Sequence, residues 1–149
     1  MALIDLIEES VVRVPLAAVG KDAAIRELVD TLVSAGKILD AETAYRAVLD
    51  REAKGSTALE EGIAVPHGKT LAARELTIAI GISAAGVEFG SMDGKPTRLF
   101  FLLLAPPDKA GPHIEALAEI ARMSRSKAFC ASLAACRTPS EVVRLLKDE

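Results

Sequence analysis

The chain has few aromatic residues and few histidines. It holds no tryptophan, one tyrosine and four phenylalanines, so aromatics make up 3% of 149 residues. Modules that grip single-stranded nucleic acid stack bases on aromatic rings, and that platform is missing. An excess of positive charge is missing too. Eighteen Lys and Arg stand against 21 Asp and Glu, for a net charge of −3 and a sequence pI of about 5.5. No nucleic-acid partner is expected from that balance. The longest uninterrupted apolar run, residues 99–105, falls far short of the ~20 residues of a membrane helix, so no membrane insertion is expected. The first residues, MALIDLIEE, are acidic early and carry no basic stretch. No signal peptide is visible, and a cytoplasmic location is expected. The two cysteines, Cys130 and Cys136, form no CxxC pair and have no neighbouring histidine. They read as buried free thiols rather than as zinc ligands or reactive groups.

What is present points to a packed core. Half of the residues are hydrophobic and 26% are charged, which excludes a disordered chain. Unfolded, a chain of this mass exposes about 22,800 Å²; folded, it should expose about 7,300 Å². No repeat or low-complexity linker interrupts it, so one domain is expected over residues 1–149.

Ile25, Leu28, Val29, Leu32 and Val33 recur at helical spacing, with Gly36 as a stop, which predicts a helix over about 22–35. Asp40 is placed to cap a second helix over about 41–54, with Ala44, Tyr45, Val48 and Leu49 inward and Gly55 closing it. The period then changes. Residues 76–83 and 99–104 are short apolar runs bounded by Gly and Pro and read as strands, the second buried on both faces. Asp93-Gly94 between them signals a hairpin. Residues 11–14 and 62–65 are weaker strand candidates. A helix is expected after Pro106-Pro107, with Ile114, Leu117, Ala118, Ala121 and Ile120 inward. A short helix follows over about 127–136. The last begins at the capping box Thr138-Pro139-Ser140-Glu141. The fold class is therefore α/β, a mixed central β-sheet flanked by helices.

Two histidines carry the functional reading. His67 follows Pro66, which sets its own φ, and precedes Gly68, which admits backbone geometries closed to other residues. The chain is expected to turn there and display the imidazole, a competent nucleophile near neutral pH. An ordinary surface histidine in a turn fits the same residues. His113 follows Gly111-Pro112 in the first turn of a helix, where the dipole favours a neutral ring and the free amides suit an anion. A helix-start histidine without a role is the alternative, and a two-histidine metal site lacks a third ligand at diagnostic spacing. Arg51 closes the second helix, either to satisfy its dipole or to reach an anion as a planar fork. Ser56 and Thr57 are hydroxyl donors, or simply turn residues.

Taken in order, these residues resemble a known family. Arg51-Glu52-x-x-Gly55-Ser56-Thr57, then Gly62-Ile63-Ala64-Val65-Pro66-His67-Gly68-Lys69, is similar to the phosphorylation-site signature of the enzyme IIA domain of the bacterial phosphoenolpyruvate-dependent sugar phosphotransferase system. The type is fructose/mannitol, including its nitrogen-regulatory branch. Phe89-Gly90-x-Met92-Asp93-Gly94-Lys95-Pro96, residues 99–106 and His113-Ile114-x-Ala116-Leu117-Ala118 continue the resemblance, which covers about residues 3–147. It implies the enzyme IIA fructose/mannitol-like fold and a phosphotransferase without cofactor. His67 would be the phosphoryl acceptor, through Nε2. His113 would hydrogen-bond the phosphate, and Arg51 would stabilise its charge. Ser56, Thr57 and Gly68 would be in support.

The donor implied is the histidine of the phosphocarrier HPr or its nitrogen-branch counterpart, and the acceptor is an enzyme IIB cysteine or a regulatory target. The Pro-His-Gly-Lys form, and a length that leaves no room for a fused IIB or channel domain, favour the nitrogen-regulatory branch. A free-standing enzyme IIA for a fructose or mannitol permease is the alternative, and a metal- or ligand-binding module of the same fold is a second. The stretch Ala58-Leu59-Glu60-Glu61 departs from the family's glycine-rich pattern and is expected to bring two carboxylates close to the phosphoryl site. Leu71, Phe89 and Met92 are candidates for an exposed docking face, with core packing as the alternative.

Overall fold

Two turns of the chain are closed by their own side chains. Asp40 accepts hydrogen bonds from the N–H groups of Glu42 and Thr43, satisfying free donors at a helix start. Asp93 accepts from the Ser91 hydroxyl and from the backbone N–H groups of Glu61 and Lys95. That set, the Ser91 hydroxyl foremost, lowers its carboxyl to about 2. A helix and a hairpin connection thus lie where the sequence signals them.

The computed structural model describes residues 3–148. The strands are β1 (Val12–Arg13), β2 (Ile63–Ala64), β3 (His67–Lys69), β4 (Thr77–Val87) and β5 (Thr97–Ala105). The α-helices are α1 (Lys21–Ser34), α2 (Ala41–Glu52), α3 (Ala110–Met123), α4 (Lys127–Ala134) and α5 (Pro139–Asp148), with short 3-10 turns at Leu3–Leu6, Glu9–Val11 and Pro107–Lys109. The sheet runs β1-β4-β5-β2, and β3 also pairs with β5. β4 and β5 form the expected antiparallel hairpin, with Ile78 opposite Leu103 and Ile80 opposite Phe101. β1 lies parallel to β4, and β2 and β3 lie parallel to β5. The sheet is therefore mixed.

Strand β5 divides the core. Phe100, Leu102 and Leu104 pack with Ile25, Leu28 and Leu32 of α1 and Val48 of α2. Leu99, Phe101 and Leu103 pack with Ile120 of α3, Leu133 of α4 and Val142 of α5. Side chains of a strand alternate between its faces, so one apolar run supplies both layers. The accessible surface is 7473 Å², close to the scaling value.

Two local expectations are corrected. The chain does not turn at His67-Gly68; it re-enters the sheet there as β3. Pro66 has no N–H to give the ladder, but its carbonyl still accepts from the Leu103 N–H at 3.0 Å. The inward stripe of α3 is also different. His113, Ala116 and Ile120 are buried, whereas Ile114, Ala118 and Ala121 are exposed and Leu117 is half-buried. The helix is rotated so that His113 faces the sheet together with Ala116 and the expected Ile120, while Leu117 packs at the margin of the core.

Candidate functional site

His67 opens β3 opposite Leu103 of β5. Its Nδ1 lies 2.8 Å from the carbonyl oxygen of Val65. A carbonyl only accepts, so Nδ1 carries the proton and the neutral ring keeps its lone pair on Nε2. His113 approaches from α3, with the ring centroids 5.4 Å apart and the planes at 85°. It is only 4% exposed, and its Nε2 is buried without a hydrogen-bond partner. Burial, then the charges of His67 and Lys69, push its pKa below the ordinary 6.5. Burial is thus the leading cause of the neutral ring that the sequence attributed to the helix dipole. A buried nitrogen without a partner is costly, and an incoming oxyanion would relieve it.

Arg51, in the last turn of α2, donates from Nη1 to the Gly55 carbonyl at 2.8 Å. With His67 it lines two hollows. One, of about 640 Å³, also takes in Arg46, Lys54, Lys69 and His113. The other, of about 270 Å³, includes Ser56, Thr57, Val65 and Leu117. His67 and Arg51 therefore form the divide between a basic cleft and a smaller, more apolar one.

The remaining residues singled out in the sequence hold the frame. The Ser56 hydroxyl donates to the Phe89 carbonyl at 2.6 Å and accepts from the Ala58 N–H at 3.1 Å. Thr57 is buried, and its hydroxyl donates to the Glu52 carboxylate. Gly68 does not adopt a left-handed backbone. Its need is space: a Cβ there would stand 3.0 to 3.2 Å from Ala47 of α2. Glu52, which the sequence motif contains but to which it gives no role, is buried and paired with Lys21 at 2.9 Å. The signal was its place beside Arg51, but its partner Lys21 lies on another helix.

Glu61, one of the two carboxylates expected near the phosphoryl site, is engaged by two lysines. Its carboxylate pairs with Lys95 at 3.2 Å and Lys127 at 3.6 Å. Of the docking candidates, Leu71 and Met92 are exposed but Phe89 is fully buried, its ring edge-on to Phe100. Among the described residues, no helix is long and apolar enough to cross a membrane. Both thiols are pushed above their ordinary pKa, chiefly by burial, which favours the unreactive thiol form.

Comparison with known proteins gives the site a context. The family model described as "Phosphoenolpyruvate-dependent sugar phosphotransferase system, EIIA 2" matches residues 5–149. The fructose-specific EIIABC component of Bacillus subtilis is 34% identical over 123 residues, which are 83% of this chain. The chain spans only 19% of the length of that relative. The nitrogen regulatory protein of Bradyrhizobium diazoefficiens is 31% identical over 148 residues, covering 98% of this chain and 95% of that protein. Among solved structures, the nitrogen regulatory protein IIA-Ntr of Neisseria meningitidis superposes with a TM-score of 0.88 at 28% identity, covering 97% of this chain and 98% of that one.

Proposed function

The chain belongs to the EIIA 2 family of the phosphoenolpyruvate-dependent sugar phosphotransferase system, and from that premise we propose that it is a phosphocarrier charged on Nε2 of His67. The observation that carries the proposal is the meeting of two rings: His67, whose Nε2 lone pair is left by the Val65 contact, stands 5.4 Å, centre to centre, from His113, whose Nε2 is buried and unpartnered. The donor is the phosphohistidine of HPr or of its nitrogen-branch counterpart. The His67 Nε2 lone pair attacks phosphorus in line, the donor's N–P bond breaks, and its electron pair returns to the donor imidazole. The Nδ1 proton stays on His67, donated to Val65. Phosphoryl transfer asks the protein for positioning and for positive charge at the phosphoryl oxygens. Arg51 and an N–H on His113 supply these here, with Ser56, Thr57 and Gly68 holding the frame.

Incubation with phosphoenolpyruvate, enzyme I and HPr or its homologue is expected to add one acid-labile phosphoryl group, read by intact-protein mass. His67→Ala is expected to take up none. Labelling of that variant to the wild-type level would move the site elsewhere.

The use of the phosphoryl group is read as regulatory. The Neisseria IIA-Ntr structure superposes with a TM-score of 0.88, against 0.80 for IIA mannitol of Escherichia coli, and similarity to the Bradyrhizobium nitrogen regulatory protein covers 98% of this chain. The second reading, supply of a fructose or mannitol permease through a IIB cysteine, is supported by the identity to the Bacillus fructose component. Pull-downs with charged and uncharged protein separate the two. Capture of regulatory targets in one state only supports the first; discharge to a purified fructose IIB supports the second.

A further inference from the structure

The acceptor ring hangs on one carbonyl, that of Val65, and Val65 is itself held. Its N–H donates to the Thr57 carbonyl at 3.1 Å. The Thr57 N–H lies 3.3 and 3.2 Å from the two carboxylate oxygens of Glu52, and the Thr57 hydroxyl donates to the same carboxylate. Glu52 is 7% exposed, and its countercharge is Lys21 of α1. Lys21 lies 4.6 Å from the centre of the Phe89 ring, and the Phe89 carbonyl takes the Ser56 hydroxyl. The loop from α2 to β2 is thus clamped at consecutive residues, Ser56 and Thr57.

A carboxylate in this place does not serve its own helix. The C-terminal end of α2 carries the negative end of the dipole, where an acid is unfavourable. Burial adds a desolvation cost that only full pairing offsets. The groups that Glu52 does serve lie beyond the helix, on the loop that reaches Val65.

We propose that Glu52 is a positioning residue for phosphoryl transfer: its carboxylate, paired with Lys21, holds Thr57, Thr57 holds Val65, and the Val65 carbonyl keeps the His67 proton on Nδ1 and the lone pair on Nε2. The proposal rests on the reading of His67 as acceptor. The loop has a second effect, because the Gly55 carbonyl that receives Arg51 Nη1 is next to Ser56. Release of the clamp therefore loosens the acceptor and its cation together. Glu52 meets neither the phosphate nor the donor.

The test uses Glu52→Ala, Glu52→Gln and Thr57→Val in the full chain, with two readouts on protein shown by thermal unfolding to be folded. Imidazole nitrogen NMR reports the His67 tautomer, assigned with His67→Ala. Phosphoramidate, a small donor with no protein surface, reports the intrinsic rate of phosphorylation. Wild type is expected to hold the Nδ1–H tautomer almost exclusively. Glu52→Ala and Thr57→Val are expected to give a tautomer mixture and a rate lower by about tenfold to a hundredfold, the scale of a misplaced reacting group. Glu52→Gln keeps an acceptor for Thr57 and should fall between. Where Glu52→Ala fails to fold, the other two variants decide. Folded variants with the wild-type tautomer and rate would overturn the proposal. Wild type that phosphoramidate labels elsewhere than His67 would overturn the acceptor reading instead, while the tautomer comparison still judges the link from Glu52.

Discussion

At the residue scale, His113 joins stability to the site. Its folded pKa is depressed below 6.5, chiefly by burial. As pH falls through 6.5 the unfolded chain takes up a proton that the folded chain resists. Stability is therefore whole above pH 6.5 and declines as pH falls from there towards the folded value. A phosphoryl group on His67 reverses the electrostatics, since an anion nearby favours the charged ring. His113 is expected to titrate below 6.5 in the resting protein and to move up on phosphorylation, as followed by NMR. His113→Ala is expected to slow charging by about a hundredfold, as loss of one stabilising donor does, while leaving His67 competent. A His113 titration unmoved by phosphorylation would count against its contact with the phosphate. His67, His113 and Arg51 were legible because an ordered motif carries them. The link through Glu52 was not, because it depends on Lys21 and on the main chain of Thr57 and Val65.

At the scale of the elements, α2 and β3 form one working part. Helix α2 brings Arg51, strand β3 brings His67, and Gly68 lets them approach, since any Cβ there would press on the Ala47 backbone. Gly68→Ala is expected to cost about 1–3 kcal/mol, the range for overpacking, measured by urea unfolding. It is also expected to slow charging, because α2 must move away with its arginine. Full stability and rate in that variant would show that the helix yields freely. Helix periodicity was legible in the sequence, but the rotation of α3 was not. The spacing predicts Ile114, Leu117, Ala118, Ile120 and Ala121 inward; of these Ile120 is buried and Leu117 half-buried against the core, and His113 and Ala116 complete the buried set. Hydropathy ranks histidine as a surface residue, and only the packing shows a polar ring covered by its neighbours. The exposed Ile114 follows from that rotation.

At the scale of the molecule, the proposed phosphorylation changes the net charge. The resting chain carries −3; a phosphoryl group carries about −1.5 to −2 on its oxygens near neutral pH, and a ring that keeps its Nδ1 proton on gaining the N–P bond becomes an imidazolium, so the net change is about one negative charge. Charged protein is therefore expected to run faster towards the anode in native electrophoresis, with His67→Ala unshifted after the same treatment. An equal shift in that variant would place the phosphoryl group elsewhere. The added charge falls beside a cleft lined by Arg46, Arg51, Lys54 and Lys69, in a protein that is otherwise acidic. Local neutralisation of the phosphoryl group is thus compatible with a net negative surface.

The sequence by itself determined the helices, the hairpin, the doubly buried central strand and the order of the motif residues. Those depend on spacing, caps and turns, which are local. The tertiary structure decided that His67 starts a strand rather than a turn, that Glu61 pairs with Lys95 and Lys127, and that α3 buries its histidine. It also decided which nitrogen of His67 is free, because that depends on a carbonyl oxygen in hydrogen-bond reach. Such choices turn on distances between separate segments, and a pattern of residue types contains no distances.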